Sequence, residues 1–523
     1  MNAPSPAATA RPHPAALASV LVLLAAALSL GWFWVDGTVG LNLADEGYLW
    51  CGVEEVARGR VPMRDFQAYD PGRYLWGAAW QRVLGADLVA LRLSCVFFQI
   101  LGVTAGLLTA RRLSQDGLFL FAVGLLLCVW MQPRYKCFEQ SIALMAVYGG
   151  VLLLERSTLQ RHFGLGLFTG LMAVMGRNHG VYCAVASALL IALAAQGRSL
   201  RGWLTNPACW AAGVVFGYLP QLLMFRVVPD YWPAFQQYLA GIFTKGNNLP
   251  TRVPWPWLVD MTLPNWSWLA ALLTGVCFLV LPGFLALALV RVLQMKGEQL
   301  QDRRVLVAAT CVTLPYAHFA FSRPDLVHLG HAMPTLLLGL IAAACTAPAP
   351  WLGKLAAPAL LAVSTLTNLF QIGFVQQLLP PPGGLQPRDV RGRTMLVGAP
   401  EAALLASGLK VVRELAGLDE HVLFLPNLPG LYPATEHRPP IRQLYAIFPT
   451  ELREEARMIR EVEDAPVQWV LLRDYPTDGR DDLRFRNTNP LLFAHLSRYF
   501  TPFPTGGLPA GVVLLHRTAR QSP

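Results

Sequence analysis

Long apolar runs, broken by short polar or Pro-containing segments, fill the first 375 positions of the chain. A helix needs about 20 mostly apolar residues to cross the hydrocarbon core of a bilayer, so the pattern predicts a bundle of membrane-spanning helices. The first run, roughly 15 to 35, follows Arg11 and His13 and is too long for the apolar region of a cleaved signal peptide; a retained signal anchor is expected. Further spans are expected near 90–110, 117–133, 139–155, 162–176, 180–196, 208–227, 268–292, 305–321, 332–347 and 355–374, about eleven in all. Between the first two runs the pattern changes. The pieces "EGYLWCGVEEVARG" and "GRYLWGAAWQRVLG" set Trp and Tyr against charges, as helices lying in the membrane interface do.

After "LLPPPGGLQPRD" the pattern changes again. The stretches "EAALLASGLKVVRELAG" and "TELREEARMIREVE" have helical spacing, whereas "HVLFLP", "QWVLLRD" and "AGVVLLHR" read as short strands, so helix and strand alternate. The expected architecture is an all-α polytopic membrane domain over 1–375, with interfacial helices within 46–86. A linker over 376–398 and a small α/β soluble domain over 399–523 would follow.

Composition agrees with a membrane protein: of 523 residues, 54% are hydrophobic and 14% charged, and the mean hydropathy is +0.41. The formal net charge of +10 would suggest nucleic acid in a soluble protein. Here the arginines recur in short loops, where anionic lipid and topology account for them, and nucleic acid is set aside as a partner. The basic segments "ARRLSQ", "ERSTLQRH", "QGRSLRG" and "RVLQMKGEQLQDRR" fall on one side, which the positive-inside rule makes cytoplasmic. The loops 36–88, 134–138, 177–179, 228–266 and 322–331, and the tail, would then face the periplasmic side of a bacterial inner (plasma) membrane. Nine scattered cysteines with no CxxC read as packing residues, a bridge between Cys51 and Cys137 being the alternative.

The candidate chemistry is one-sided. Carboxylates in or beside a bilayer are costly unless paired or hydrated, so their positions are informative. Asp45 and Glu46 open the first outer loop in "NLADEGYLW". Asp70 and Arg73 follow in "YDPGRYLW", and Glu139 stands after Arg134 and Lys136 in "PRYKCFEQSIALM". An ion pair of Glu139 with Arg134 or Lys136 is its structural alternative. Arg177 and His179 in "MGRNHGVY", and Arg323, Asp325 and His328 in "SRPDLVHLGH", place cations on the outer side, against the positive-inside bias. Arginine suits a phosphate because its planar fork donates paired charge-assisted hydrogen bonds. A kink with snorkelling side chains, and an internal Arg323 to Asp325 pair, are the corresponding alternatives.

A carboxylate that orients or deprotonates a nucleophile, beside cations that stabilise a departing phosphate, is what sugar transfer from a lipid-linked phosphate requires. Asp70, Arg73, Arg134, Lys136, Arg177, His179, Arg323, Asp325 and His328 are the expected substrate-binding residues. The absence of a Gly-rich nucleotide loop, HExxH or GxSxG argues against a nucleotide-sugar enzyme, a zinc protease and an α/β hydrolase. A polytopic transporter or flippase of a lipid-linked or anionic substrate is the rival reading. Against it stand polar clusters confined to one face and a hydropathy pattern without two-half symmetry.

Four features in order, the acidic pair of "ADEGYLW", the segment "RDFQAYDPGRYLW", the motif "ALRL" and a solitary acid at the outer start of the fourth span, resemble the GT-C superfamily of polytopic glycosyltransferases. They are similar to its protein O-mannosyltransferase and aminoarabinose-transferase group, of the glycosyltransferase family 39 type. The resemblance covers about residues 15 to 200, later spans matching by hydropathy, and "HVLFLPNLPGLYPATEHRPP" looks like the periplasmic domain that many bacterial members append. It implies an inverting transfer from a polyprenyl-phosphate sugar donor to a glycan, lipid or protein acceptor. Asp45 would be the catalytic acid or base, or the acceptor-orienting residue, with Glu46 its helper and Glu139 the second acid. It also implies a divalent metal, Mg, Mn or Zn, shared by Asp45 and Glu139. "YDPG" departs from the longer proline-rich form of the aminoarabinose transferases, and "RPDLVH" lies outside the matched pattern.

Overall fold

A computed structural model describes residues 14–197, 199–245, 251–381, 383–417 and 420–518; the Arg11 and His13 flank lies outside them. The apolar runs are helical. In chain order α1 is Pro14–Asp36, α2 Asp45–Ala57, α3 Pro71–Leu84, α4 Leu88–Ala110, α5 Gly117–Val129, α6 Cys137–Glu155, α7 Leu159–Met175, α8 Arg177–Ala194, α9 Leu200–Gly217, α10 Leu219–Val227, α11 Tyr231–Lys245 and α12 Ser267–Gln294. The helices Arg304–Ser322, Met333–Cys345 and Pro350–Thr367 complete the apolar bundle.

Among the described residues six helices are long and apolar enough to cross a membrane, or seven if α9 and α10, bent by 47°, count as one span. The helices α5, Met333–Cys345 and Trp351–Thr367 are apolar but shorter. The expected run over 117–133 is helical only to Val129, and Pro133 keeps the residue before it from resuming the helix. The chain is thus a multi-pass membrane protein.

Local chemistry sets the helix starts: Asp87 accepts from the Ala90 amide at 2.9 Å to cap α4, and Asp116 accepts from the Phe119 amide at 2.8 Å to cap α5. Small residues let helices approach closely. Gly166 and Gly170 of α7 face Gly213 and Gly217 of α9, where a Cβ on any of the four would run into the partner's backbone. At one end of the bundle, Arg112, Arg161 and Arg304 converge on Glu155 at 3.1, 3.8 and 3.4 Å, so three of the four basic segments meet at one face.

The other end is covered by the C-terminal part. Within the stretch expected as a linker, β1 (Leu385–Val390) and β2 (Arg393–Gly398) form an antiparallel hairpin. It is docked on the segment between α1 and α4: the Gly40 amide donates to the Leu396 carbonyl at 2.8 Å, Arg393 pairs with Asp87 at 3.1 Å, and Arg391 pairs with the buried Glu54. A four-stranded sheet follows in the order β3-β4-β6-β5, with β3 His421–Leu425, β4 Val467–Arg473, β5 Phe500–Pro502 and β6 Val512–Arg517. β3 and β4 are parallel and are joined through the helix Leu452–Asp464, so the expected alternation is present. All nine cysteines are free, Cys51 and Cys137 included.

Parallel strands deliver their carboxyl-end loops to one side. The loop after β3 reaches the membrane part, where the Gly430 amide donates to the Leu43 carbonyl at 2.8 Å. A Cβ on Gly430 would lie 3.0 Å from the Gly47 Cα, so α2 and this loop touch backbone to backbone. The loop after β4 reaches Arg323.

Candidate active site

Asp45 is the first residue of α2, and Asn42 fixes that helix start by accepting from the Ala44 and Asp45 amides at 3.0 and 2.8 Å. A carboxylate there also complements the helix dipole. Its side chain is 38% exposed, and its neighbours come from distant segments. Lys136 Nζ lies 3.7 Å from Oδ2, and the Tyr445 hydroxyl donates to Oδ1 at 2.7 Å. Burial pushes the Asp45 carboxyl up, but Lys136, the Tyr445 hydroxyl, Arg323 and His328 together outweigh it and hold the group below the ordinary aspartate range.

Tyr445 belongs to the C-terminal part and is held in place. Gln67 Oε1 accepts from the Leu444 and Tyr445 amides at 3.0 and 2.8 Å, and the Gln67 amide donates to the Arg442 carbonyl at 2.8 Å. Its ring packs edge-on against Tyr48 at 5.7 Å, and Tyr48 packs against Tyr69 at 5.1 Å.

Glu46 points elsewhere. Both its oxygens accept from Arg92 at 2.7 Å, and the same guanidinium donates to the carbonyls of Gly37, Val39 and Gly40 at 2.9, 3.1 and 2.8 Å. Both side chains are buried, so Glu46 holds the loop between α1 and α2 and does not share the exposed surroundings of Asp45. The cations of "PRYK" divide: Arg134 forms a buried pair with Asp36 at the end of α1, and Lys136 reaches Asp45. Neither pairs with Glu139, contrary to the structural alternative drawn from the sequence.

Glu139 pairs instead with Arg73. Two guanidinium nitrogens lie 3.3 Å from its Oε1, and the Arg73 guanidinium lies over the Tyr69 and Phe138 rings at 5.2 and 5.6 Å. His179, bonded through Nδ1 to the Tyr316 hydroxyl at 3.1 Å, and His331 lie within electrostatic reach of Glu139. Both His331 ring nitrogens are buried without a protein partner among the described residues, and burial pushes the imidazole down to about 3. Asp70 accepts from the Arg177 amide at 2.9 Å, with the Arg177 guanidinium at 3.5 Å and lying over Tyr238 at 4.1 Å. Burial pushes the Asp70 carboxyl up despite Arg177.

Within electrostatic reach of Asp45, Arg323 pairs with Asp325 at 3.1 Å and with Asp478 of the C-terminal part at 3.3 Å. His328 Nδ1 lies 2.8 Å from the Asp325 carboxylate. The expected internal Arg323 to Asp325 pair therefore exists, but it is shared.

The structure thus brings Asp45, Lys136, Arg323, Asp325 and His328 to one half-exposed mouth. Arg73, Glu139 and His179 lie in a closed layer next to it; Asp70 and Arg177 pair with each other, and Glu46 and Arg134 hold the frame. Arg92, Tyr445, Asp478 and His331 were not singled out from the sequence. His331 lies in the quoted "SRPDLVHLGH" and could have been chosen; Tyr445 had no local signal.

Among the described residues no three His, Cys, Asp or Glu side chains form a group that could hold a metal. Asp45 faces an ammonium and a hydroxyl donor, and Glu139 faces a guanidinium. The donor set does not fit a divalent ion shared by the two carboxylates.

No family model matches the chain, and no curated protein matches it. Its structure is similar to the crystal structure of ArnT from Cupriavidus metallidurans in the apo state, with a TM-score of 0.53 and 12% sequence identity, covering 96% of this chain and 98% of that one. It is equally similar to ArnT from Cupriavidus metallidurans bound to undecaprenyl phosphate, with a TM-score of 0.53 and 11% identity over 97% and 99% of the two chains. At such identities the likeness is one of fold: this chain shares the fold of those structures, a polytopic helical domain with a small sheet domain seated on one end.

Proposed function

We propose that the protein is a membrane glycosyltransferase that moves a sugar from a polyprenyl-phosphate donor to a hydroxyl acceptor, with inversion, at the membrane face that carries the C-terminal domain. One observation carries the reading. Asp45, half-exposed and kept ionised, sits beside Lys136 and within electrostatic reach of Arg323 and His328. The fold neighbour ArnT was solved with undecaprenyl phosphate bound, which is the chemical class of carrier this arrangement suits.

In the proposed reaction the acceptor oxygen attacks the anomeric carbon, its proton passes to Asp45 Oδ2, and the bond from that carbon to the phosphate oxygen breaks, its electron pair leaving on the phosphate. Lys136 and Arg323 hold the charge that builds on the departing phosphate, and His328 adds to it when protonated. Tyr445 positions the Asp45 carboxylate. Glu46, expected as a helper, acts through the loop that it holds with Arg92. The side is proposed to be periplasmic, following the Lys and Arg distribution.

The test is transfer by membranes supplied with a panel of polyprenyl-phospho-sugars. Asp45→Asn should lose about 10² to 10⁴ of the rate while remaining folded. Equal transfer by wild type and variant would sink the assignment of Asp45. Transfer by neither, with any donor, would favour the transporter.

A further inference from the structure

Arg323 has one counter-ion close in sequence, Asp325, and one lent from across the domain boundary, Asp478. The loop that lends it is rich in charge, and its other acids are satisfied within it. Asp481 pairs with Arg484 at 2.5 Å, Asp482 with Arg480 at 2.6 Å, and Asp474 with Arg486. Among the described acids of 474–482, Asp478 is the one whose ion pair is with the membrane part. It sits at the loop tip with a φ of 53°, followed by Gly479 at 72°, so the chain adopts two left-handed residues in succession to present it. Both partners remain about 28% to 29% exposed, so the pair can be opened by a competing anion.

Taking the proposed reaction as given, we infer that Asp478 is a displaceable stand-in for the donor phosphate: its carboxylate occupies the Arg323 fork when no lipid phosphate is there and competes with the product for that fork after transfer. Transfer turns a singly charged phosphodiester into a phosphomonoester of higher charge, which the cations of the mouth would retain. A carboxylate that returns to Arg323 assists release. Lys136 and Arg323 face Asp45, Asp325 and Asp478, so these groups hold one more carboxylate than cations; removing Asp478 leaves the two signs equal and lessens the repulsion of an incoming phosphate.

The experiment measures undecaprenyl phosphate binding to the purified full chain in detergent. Asp478→Asn keeps a residue that tolerates left-handed backbone and should bind about two- to five-fold tighter, the range an exposed ion pair commands. The gain should vanish at high salt, where exposed charges are screened. Adding Arg323→Gln should abolish it. Hydrogen exchange in 474–488 of the wild type should rise as the lipid saturates. Weaker or unchanged binding by Asp478→Asn, with wild type binding well, would overturn the inference alone. No binding by any form would overturn the functional reading, and this inference with it.

Discussion

The Tyr445 hydroxyl donates to the Asp45 carboxylate at 2.7 Å across 400 positions of sequence. That bond helps keep Asp45 ionised, together with Lys136, Arg323 and His328 and against the effect of burial. In the proposed reaction Asp45 is the base and is active when deprotonated, so the acid limb of the transfer rate should fall at a pH below the ordinary aspartate value. Tyr445→Phe keeps the ring against Tyr48 and removes the hydroxyl. The limb should then move to higher pH, by up to about one unit, with the chain still folded. An unmoved limb in a pH–rate profile would leave Tyr445 without a positioning role.

Lys136 acts on the same carboxylate and, in the proposed reaction, on the phosphate too. Lys136→Gln should therefore shift the limb upward and also lower kcat by about 10² to 10³, the usual cost of one lost transition-state contact. Tyr445→Phe should be much milder in kcat at neutral pH. The two variants, compared in one pH series, separate positioning of the base from stabilisation of the leaving group.

Adjacent acids should fail in different ways. Asp45→Asn changes a half-exposed group at the mouth, and thermal unfolding in detergent should be little altered. Glu46→Gln strips the buried Arg92 of its counter-ion, which typically costs about 3 to 5 kcal/mol. The expected result is a clearly lowered melting temperature for Glu46→Gln and a near-normal one for Asp45→Asn. Similar melting with similar loss of transfer would mean that Glu46 acts in the chemistry after all.

These contrasts mark what the sequence could convey. Period and length of apolar runs report burial away from water, so the helices, α2 and α3 among them, and the alternating tail could be read directly. Loop charge gives the side on which a loop is expected, which is why Asp45, Lys136 and Arg323 could be grouped before any coordinates. Pairing is another matter. Arg134 and Lys136 are two positions apart, yet one turns to Asp36 and the other to Asp45, because the 3₁₀ turn Arg134–Lys136 between them points them apart. Arg92, in the motif "ALRL", reads as an isolated charge at a helix start until α2 brings Glu46 against it. Tyr445 and Asp478 depend on how loops of a second domain are seated, and no periodicity encodes that contact.

Seating of that domain can be tested at one glycine. Gly430 has an ordinary φ, so alanine there brings no backbone strain; the difficulty is space, since the new methyl would lie 3.0 Å from the Gly47 Cα and from the Leu43 carbonyl. That distance is tighter than ordinary contact, and both neighbours are backbone, so the loop after β3 must give way from α2 by a few tenths of an ångström. The movement withdraws the segment that holds Tyr445 over Asp45. Gly430→Ala should thus lower transfer and expose the C-terminal part to limited proteolysis, while the membrane helices keep their fold. Gly506→Ala, where a Cβ meets nothing within 4 Å, is the control and should be silent in both assays. Full transfer by Gly430→Ala with a loosened C-terminal part would mean that the membrane domain completes the site alone.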